Sequence, residues 1–168
     1  ATYDGLVPGK FLRNWLVLGP MTNQVPEHID LSSDEGQKTA FETEFLDFGN
    51  FSPTVTIGNR DYEWLLVESS NNIIDLNRIE NGKNYETAYA WAQVEMAEEK
   101  TVTLGIGSDD RVKVWLNGEL VHENFVNRVT IFDNDQVQVN FKKGTNHLVL
   151  KVQNITGHWN FCCRVLEE

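Results

Sequence analysis

From Tyr85 to Leu166 apolar and polar residues alternate almost without a break. A period of two is the signature of strands with one buried face. The alternation predicts strands at Tyr85–Met96, Thr101–Gly107, Arg111–Asn117, Glu119–Glu123, Asp135–Phe141, Asn146–Gln153 and Asn160–Leu166. Asn117-Gly118 and Lys143-Gly144 punctuate it, and such pairs tolerate the positive φ angles of tight hairpin turns. The first half is looser. Phe11–Gly19 reads as a strand ending at Gly19-Pro20, Asp61–Glu68 as another, with brief strands at Thr54–Ile57 and Ile73–Leu76. Residues 22–37 read as loop, and Lys38–Leu46 as a short helix. Many short strands and at most one short helix predict an all-β, antiparallel β-sandwich of the jelly-roll kind, as one domain over 1–168.

Parity assigns the faces. Val112, Val114 and Leu116 share one face, as do Leu148, Leu150 and Val152, and these form the inner wall. Arg111, Lys113 and Trp115 lie opposite, with Trp115 either exposed or capped by the N-terminal segment. The strand from Tyr85 is apolar on both faces: Tyr85, Tyr89 and Trp91 on one, Ala88, Ala90, Ala92, Val94 and Met96 on the other. The expectation is that the aromatic row is core and that the alanines lie outside under a loop; the alternative is an exposed aromatic platform. Trp64 alternates with Leu66 and is expected in the core.

Composition narrows the partners. Of 168 residues, 25 are acidic and 14 are Lys or Arg, a net charge of −11. So acidic a surface repels phosphate backbones and anionic lipid, which argues against nucleic acid and membrane as partners. No apolar run reaches the roughly 20 residues of a membrane helix. The polar opening Ala1-Thr2-Tyr3-Asp4-Gly5 is not a signal peptide, so a secretory signal is either absent or already removed. Cys162 and Cys163 are adjacent and point to opposite faces of a strand, so they are expected as free, packed thiols.

Several segments resemble galactose-binding-domain-like jelly rolls: Trp15-Leu-Val-Leu-Gly-Pro20, Ala88-Tyr-Ala90, Ser108-Asp-Asp-Arg-Val-Lys-Val-Trp-Leu-Asn-Gly118, Lys143-Gly-Thr-Asn-His-Leu-Val-Leu-Lys-Val152 and Trp159-Asn-Phe161. The resemblance implies a carbohydrate-binding or accessory domain of a polysaccharide-degrading protein. Its partners would be an oligo- or polysaccharide and a neighbouring catalytic domain, in an extracellular, periplasmic or cell-surface setting. Ser108-Asp109-Asp110 is also similar to lectin-like PA14 domains, where paired aspartates hold calcium. That similarity implies a possible calcium ion at Asp109 and Asp110, although Arg111 stands where that family usually has glycine. No cofactor is otherwise required.

Sugar binding needs an aromatic face ringed by hydrogen-bonding groups. Trp159 sits in the loop Gly157-His-Trp-Asn160, so the candidate sugar-binding set is Trp159 for stacking, with His158, Asn160, Arg111 and Asp110 around it and Trp115 as a further candidate. The alternative for Trp159 is a plug at the end of the core. For Asp109 and Asp110, and for Asp133-Asn134-Asp135, it is turn chemistry.

Enzymatic signals are thin. His28, His122, His147 and His158 lack metal-ligand spacing, and neither a nucleophile elbow nor a phosphate loop is present. The leading expectation is therefore a non-catalytic carbohydrate-binding module. The alternative is a structural or interaction domain of a larger glycan-processing protein, with no sugar binding of its own.

Overall fold

The computed structural model describes residues 2–21, 30–57, 59–78 and 84–166. Its strands and helix are β1 (Thr2–Asp4), β2 (Asn14–Met21), α1 (Asp34–Glu42), β3 (Thr54–Ile57), β4 (Arg60–Glu63), β5 (Leu65–Glu68), β6 (Ile74–Asp75), β7 (Thr87–Met96), β8 (Lys100–Asp109), β9 (Arg111–Leu116), β10 (Glu119–Asn124), β11 (Asp135–Phe141), β12 (Gly144–Gln153) and β13 (Asn160–Val165). The larger sheet runs β10-β9-β12-β7-β2-β5, with β1 parallel to β7. The smaller runs β11-β8-β13-β6, and β3-β4 form a separate hairpin. The fold is an all-β sandwich with one short α-helix among the described residues, as the alternation predicts.

The inner wall is where parity places it. Val112, Val114, Leu116, Leu148, Leu150 and Val152 share one core with Leu104, Ile106, Phe141, Phe161 and Cys163 of the smaller sheet. Each fully buried side chain of this kind contributes about 1.5–3 kcal/mol. The hairpin at Asn117-Gly118 has φ of 52° and 82°, the left-handed pair that Asn-Gly supplies cheaply. Both cysteines are buried free thiols.

Several boundaries differ from expectation. The first long strand does not stop at Gly19-Pro20. It continues to Met21 with a register shift between Leu18 and Met21. Gly19 has a φ of 139° and a Cβ there would sit 3.1 Å from the Thr87 carbonyl oxygen, so glycine permits this passage. The helix starts earlier than Lys38, because Ser33 caps it by accepting from Gly36 N. The stretch Asp61–Glu68 is broken at Trp64 into β4 and β5.

The main correction concerns the outer face of the larger sheet. The alanines of β7 line the sandwich core, not the outside. Tyr89, Trp91, Trp115, Val149 and Leu18 form a second core with Leu46 and Tyr62, and Phe48, Phe51, Val55 and Trp64 pack against it. The cover is α1, the segment after it and the β3-β4 hairpin. Both faces of β7 are therefore buried over most of its length, which is why its pattern is apolar on both sides. Trp115 is capped by Phe48, at 4.8 Å between rings, and not by the N-terminal segment.

Charged groups hold this cover down. Lys151 Nζ donates to the carbonyl oxygens of Ala40 (2.8 Å), Phe41 (3.2 Å) and Thr43 (2.7 Å), the end of α1. Those carbonyls have no partner within the helix, and a cation suits the negative end of its dipole. Glu44 accepts from Lys113 Nζ (2.8 Å) and from the Tyr89 hydroxyl (2.6 Å).

Candidate functional site

The turn joining β8 to β9 is built from its own polar groups. Ser108 Oγ donates to the Asp110 carbonyl oxygen at 2.6 Å. The two carboxylate oxygens of Asp110 accept main-chain N–H groups from Arg128 (3.1 Å) and Ile155 (2.9 Å). Asp110 thus ties three loops together at this end of the sandwich, which is the turn chemistry weighed for it. Burial, and then the neighbouring Asp110 carboxylate, push the Asp109 carboxyl up to about 6. Among the described residues, no cluster of three or more His, Cys, Asp or Glu could hold a metal ion.

Arg111, expected beside the sugar, is enclosed within the protein. Its guanidinium is buried, lies 3.9 Å over the Phe125 ring, and donates to Gln37 (2.6 Å), Gln153 (3.1 Å) and Asn127 (2.9 Å). Trp159 is 0% exposed, and its Nε1 donates to the Val152 carbonyl oxygen at 3.2 Å. It plugs the end of the core, and a fully buried indole has no face to offer a sugar. His158 beside it is exposed and Asn160 half-buried. The stacking expected of Trp159 and Trp115 is corrected on the same ground: both rings seal interior surfaces. The structure brings Asp109, Asp110, His158 and Asn160 to one end of the sandwich without an aromatic floor. His28 lies outside the described residues.

The second oxygen-rich loop is likewise structural. Asp135 accepts from Arg128 Nη1 at 2.7 Å and Nη2 at 2.8 Å, from Asn124 at 3.2 Å, and lies 3.0 Å from His122 Nε2. Asp133 pairs with Arg164. Residues 125–134 cross the outer face of the smaller sheet at close range. A Cβ at Gly105 or Gly107 would overlap Asp133 or the Ile131 carbonyl oxygen.

The aromatic surface lies elsewhere, on the outer face of the larger sheet at the border of its cover. Phe51 stacks on Trp91 with centroids 4.3 Å apart at 16°, and on His147 at 4.8 Å and 21°. Trp64 meets Trp91 edge-on at 5.4 Å and lies 6.4 Å from Phe51. Phe51, Trp64 and His147 are half-buried, and Leu66, paired to Leu16 and through it to Trp91, is 54% exposed. Beyond this strip the face is open and polar. Gln93 pairs with His147, and Glu95 with Thr145, whose hydroxyl bonds the Glu95 carboxylate. Trp91 Nε1 donates to His147 Nδ1 at 3.1 Å, so the imidazole is neutral with its hydrogen on Nε2. Burial keeps its pKa below the ordinary value, against the pull of Glu95.

Sequence reasoning placed Trp64 in the core and did not single out Phe51. The available signal was the aromatic run Phe45, Phe48 and Phe51 in an otherwise irregular segment. Such a run needs an apolar surface to cover.

No family model and no curated protein matches the chain. Among solved structures, selenomethionine-labelled β-glucosidase from Kluyveromyces marxianus superposes with a TM-score of 0.51 at 13% identity, over 67% of this chain and 15% of that one. β-Glucosidase from Kluyveromyces marxianus in complex with glucose gives 0.47 at 14%, over 62% and 14%. A GH26-CBM35 β-(1,4)-mannanase from Podospora anserina gives 0.34 at 19%, over 52% and 21%. At that identity the first likeness shows a shared sandwich fold and nothing finer. The chain corresponds to a small part of each of these proteins.

Proposed function

We propose that the chain is a non-catalytic carbohydrate-binding module that tethers an associated enzyme or assembly to a polysaccharide. The observation that carries this reading is the pair of half-exposed rings Trp64 and His147, gathered around Phe51, beside the open polar row of Gln93, Glu95 and Thr145. Pyranose rings pack their C–H faces on such rings while polar neighbours take the hydroxyls. The sandwich fold shared with a β-glucosidase chain supports the reading. The site proposed is this sheet face in place of the loop around Trp159. A shallow face of this kind binds weakly alone and relies on avidity in a larger protein. The setting proposed is extracellular, periplasmic or at a cell surface; none of the described helices is long and apolar enough to cross a membrane. No cofactor is required.

Titration calorimetry and affinity gels against a panel of neutral and acidic plant and algal glycans test the reading. Retention by the wild type and its loss in Trp64→Ala support it. Flat heats and unretarded migration throughout overturn it. Retention that vanishes on chelating calcium would move the site to Asp109 and Asp110.

One observation favours the second reading, an interaction domain without sugar binding. Val129, Ile131 and Phe132 stand 67%, 56% and 47% exposed in the loop crossing the smaller sheet. Apolar side chains grouped in this way suit a neighbouring domain. Polar substitution there would weaken assembly with that domain and leave glycan retention untouched.

A further inference from the structure

We infer that Phe51 is a displaceable plug, occupying on Trp91 the place that an uncharged sugar ring takes when the module binds its glycan. The inference rests on the carbohydrate-binding reading and goes further by naming a subsite beneath the visible surface. Three observations lead to it. First, Phe51 lies nearly parallel to Trp91 at 4.3 Å and to His147 at 4.8 Å, and those two rings sit side by side with centroids 5.8 Å apart, so one flat six-membered ring covers a floor made by two others. A pyranose has that size and shape. Second, the loop carrying Phe51 is tied mainly to itself. Asn50 N donates to the Asp47 carbonyl oxygen, Gly49 N to Asp47 Oδ1, and Ser52 Oγ to Asn50 Oδ1. Among the described residues it is fixed to the body of the protein on either side of that ring, by Phe48 against Trp115 before it and by Trp64 N donating to the Pro53 carbonyl oxygen after it. Lifting Phe51 therefore costs mainly its ring contacts. Third, Trp64 Nε1 is buried in the same cluster with no hydrogen-bond partner among the described residues. A buried donor left unpaired is costly, and a hydroxyl arriving where Phe51 now lies would relieve it.

The surroundings select the ligand class. The open rows beyond that floor carry Thr2, Gln93 and His147, then Asp4, Glu95 and Thr145. They hold two carboxylates, Asp4 and Glu95, and no lysine or arginine. A uronic acid or sulfated sugar would meet those carboxylates with no cation to pair it, so the site suits neutral hexoses. The neutral His147 offers its Nε2 hydrogen to a ring or hydroxyl oxygen.

The test compares wild type, Phe51→Ala and Phe51→Ala/Trp64→Phe by titration with cellohexaose and mannohexaose, with thermal melts as controls. If Phe51 competes with the sugar, removing it raises apparent affinity by about tenfold or more, the factor by which closed molecules outnumber open ones. Trp64→Phe in that background keeps the ring, removes the donor and gives back several-fold. If Phe51→Ala instead weakens binding while its melt is unchanged, Phe51 is part of the platform; the plug is then wrong and the carbohydrate-binding reading stands. No heat from any variant with any neutral glycan overturns both. Should Phe51→Ala lose its cooperative melt, Phe51→Leu, which fills the loop without a flat ring, answers the same question.

Discussion

Lys151 Nζ lies 2.8 Å from the Ala40 carbonyl oxygen, across 111 residues of sequence. With its bonds to Phe41 and Thr43, this one ammonium closes α1 and fastens it to the centre of the larger sheet. A lysine on the wrong side of an inner wall thus becomes the anchor of a third layer.

Lys151→Met keeps the stem and removes the donor. Three carbonyls lose their partner, and Glu44 loses one of its two lysines. The expected cost is about 2–4 kcal/mol, read from urea unfolding at pH 7. Burial pushes the Lys151 pKa down to about 8, with Glu44 opposing the shift. The unfolded chain then binds the extra proton between pH 8 and about 10.4, so this group makes stability rise with pH across that window. The variant should lack that rise.

Arg128 and Asp135 form the second fastening, where two guanidinium nitrogens meet one buried carboxylate. Burial works to raise the Asp135 pKa, but the bonds from Arg128 and His122 outweigh it and hold it below the usual range. Its contribution is full above the ordinary carboxylate value and is lost as pH falls through the depressed one. Arg128→Met should cost about 3 kcal/mol at pH 7 and flatten the acid limb of the stability profile. An unchanged acid limb would count against this role for the pair.

Gly107 lies under the Ile131 carbonyl oxygen, where a methyl group has no room. Gly107→Ala should displace residues 125–134 from the smaller sheet and cost about 1–3 kcal/mol. Hydrogen exchange should quicken in that loop and stay slow in β9 and β12.

Asp109 is held protonated up to about pH 6 by burial and by Asp110. The folded protein binds that proton more tightly than the unfolded chain, so its contribution is full below about pH 4 and is lost as pH rises through 6. Asp109→Asn keeps the neutral shape. It should raise stability at pH 7.5 by on the order of 1–2 kcal/mol and leave pH 4 almost unchanged. Melting curves at the two pH values decide this.

The strands after Lys100 were legible because each has one apolar face, and period-two alternation states which face it is. Leu148, Leu150 and Val152 needed no further information. β7 was legible as a strand and its aromatic row as buried, but its alanines were placed outside because Tyr89 and Trp91 are as apolar as Ala88 and Val94. Alternation reports a difference between faces and is silent where both are buried. Asp110 was read both as a turn residue and as a sugar or calcium contact, and its carboxylate is engaged by the Arg128 and Ile155 N–H groups. The enclosure of Arg111 was not legible, because the Phe125 and Gln37 that surround it come from distant segments.

The chain by itself determined the sandwich, its inner wall, its Asn-Gly hairpin and its acidic surface, since these follow from local pattern, turn conformation and charge count. The folded arrangement alone decided that Trp159 and Trp115 are sealed and that Phe51 and Trp64 reach the surface. Whether an aromatic ring meets solvent depends on what lies over it. Here the cover is a helix and hairpin drawn from residues 34–63, folded against strands that include one 111 residues further along the chain.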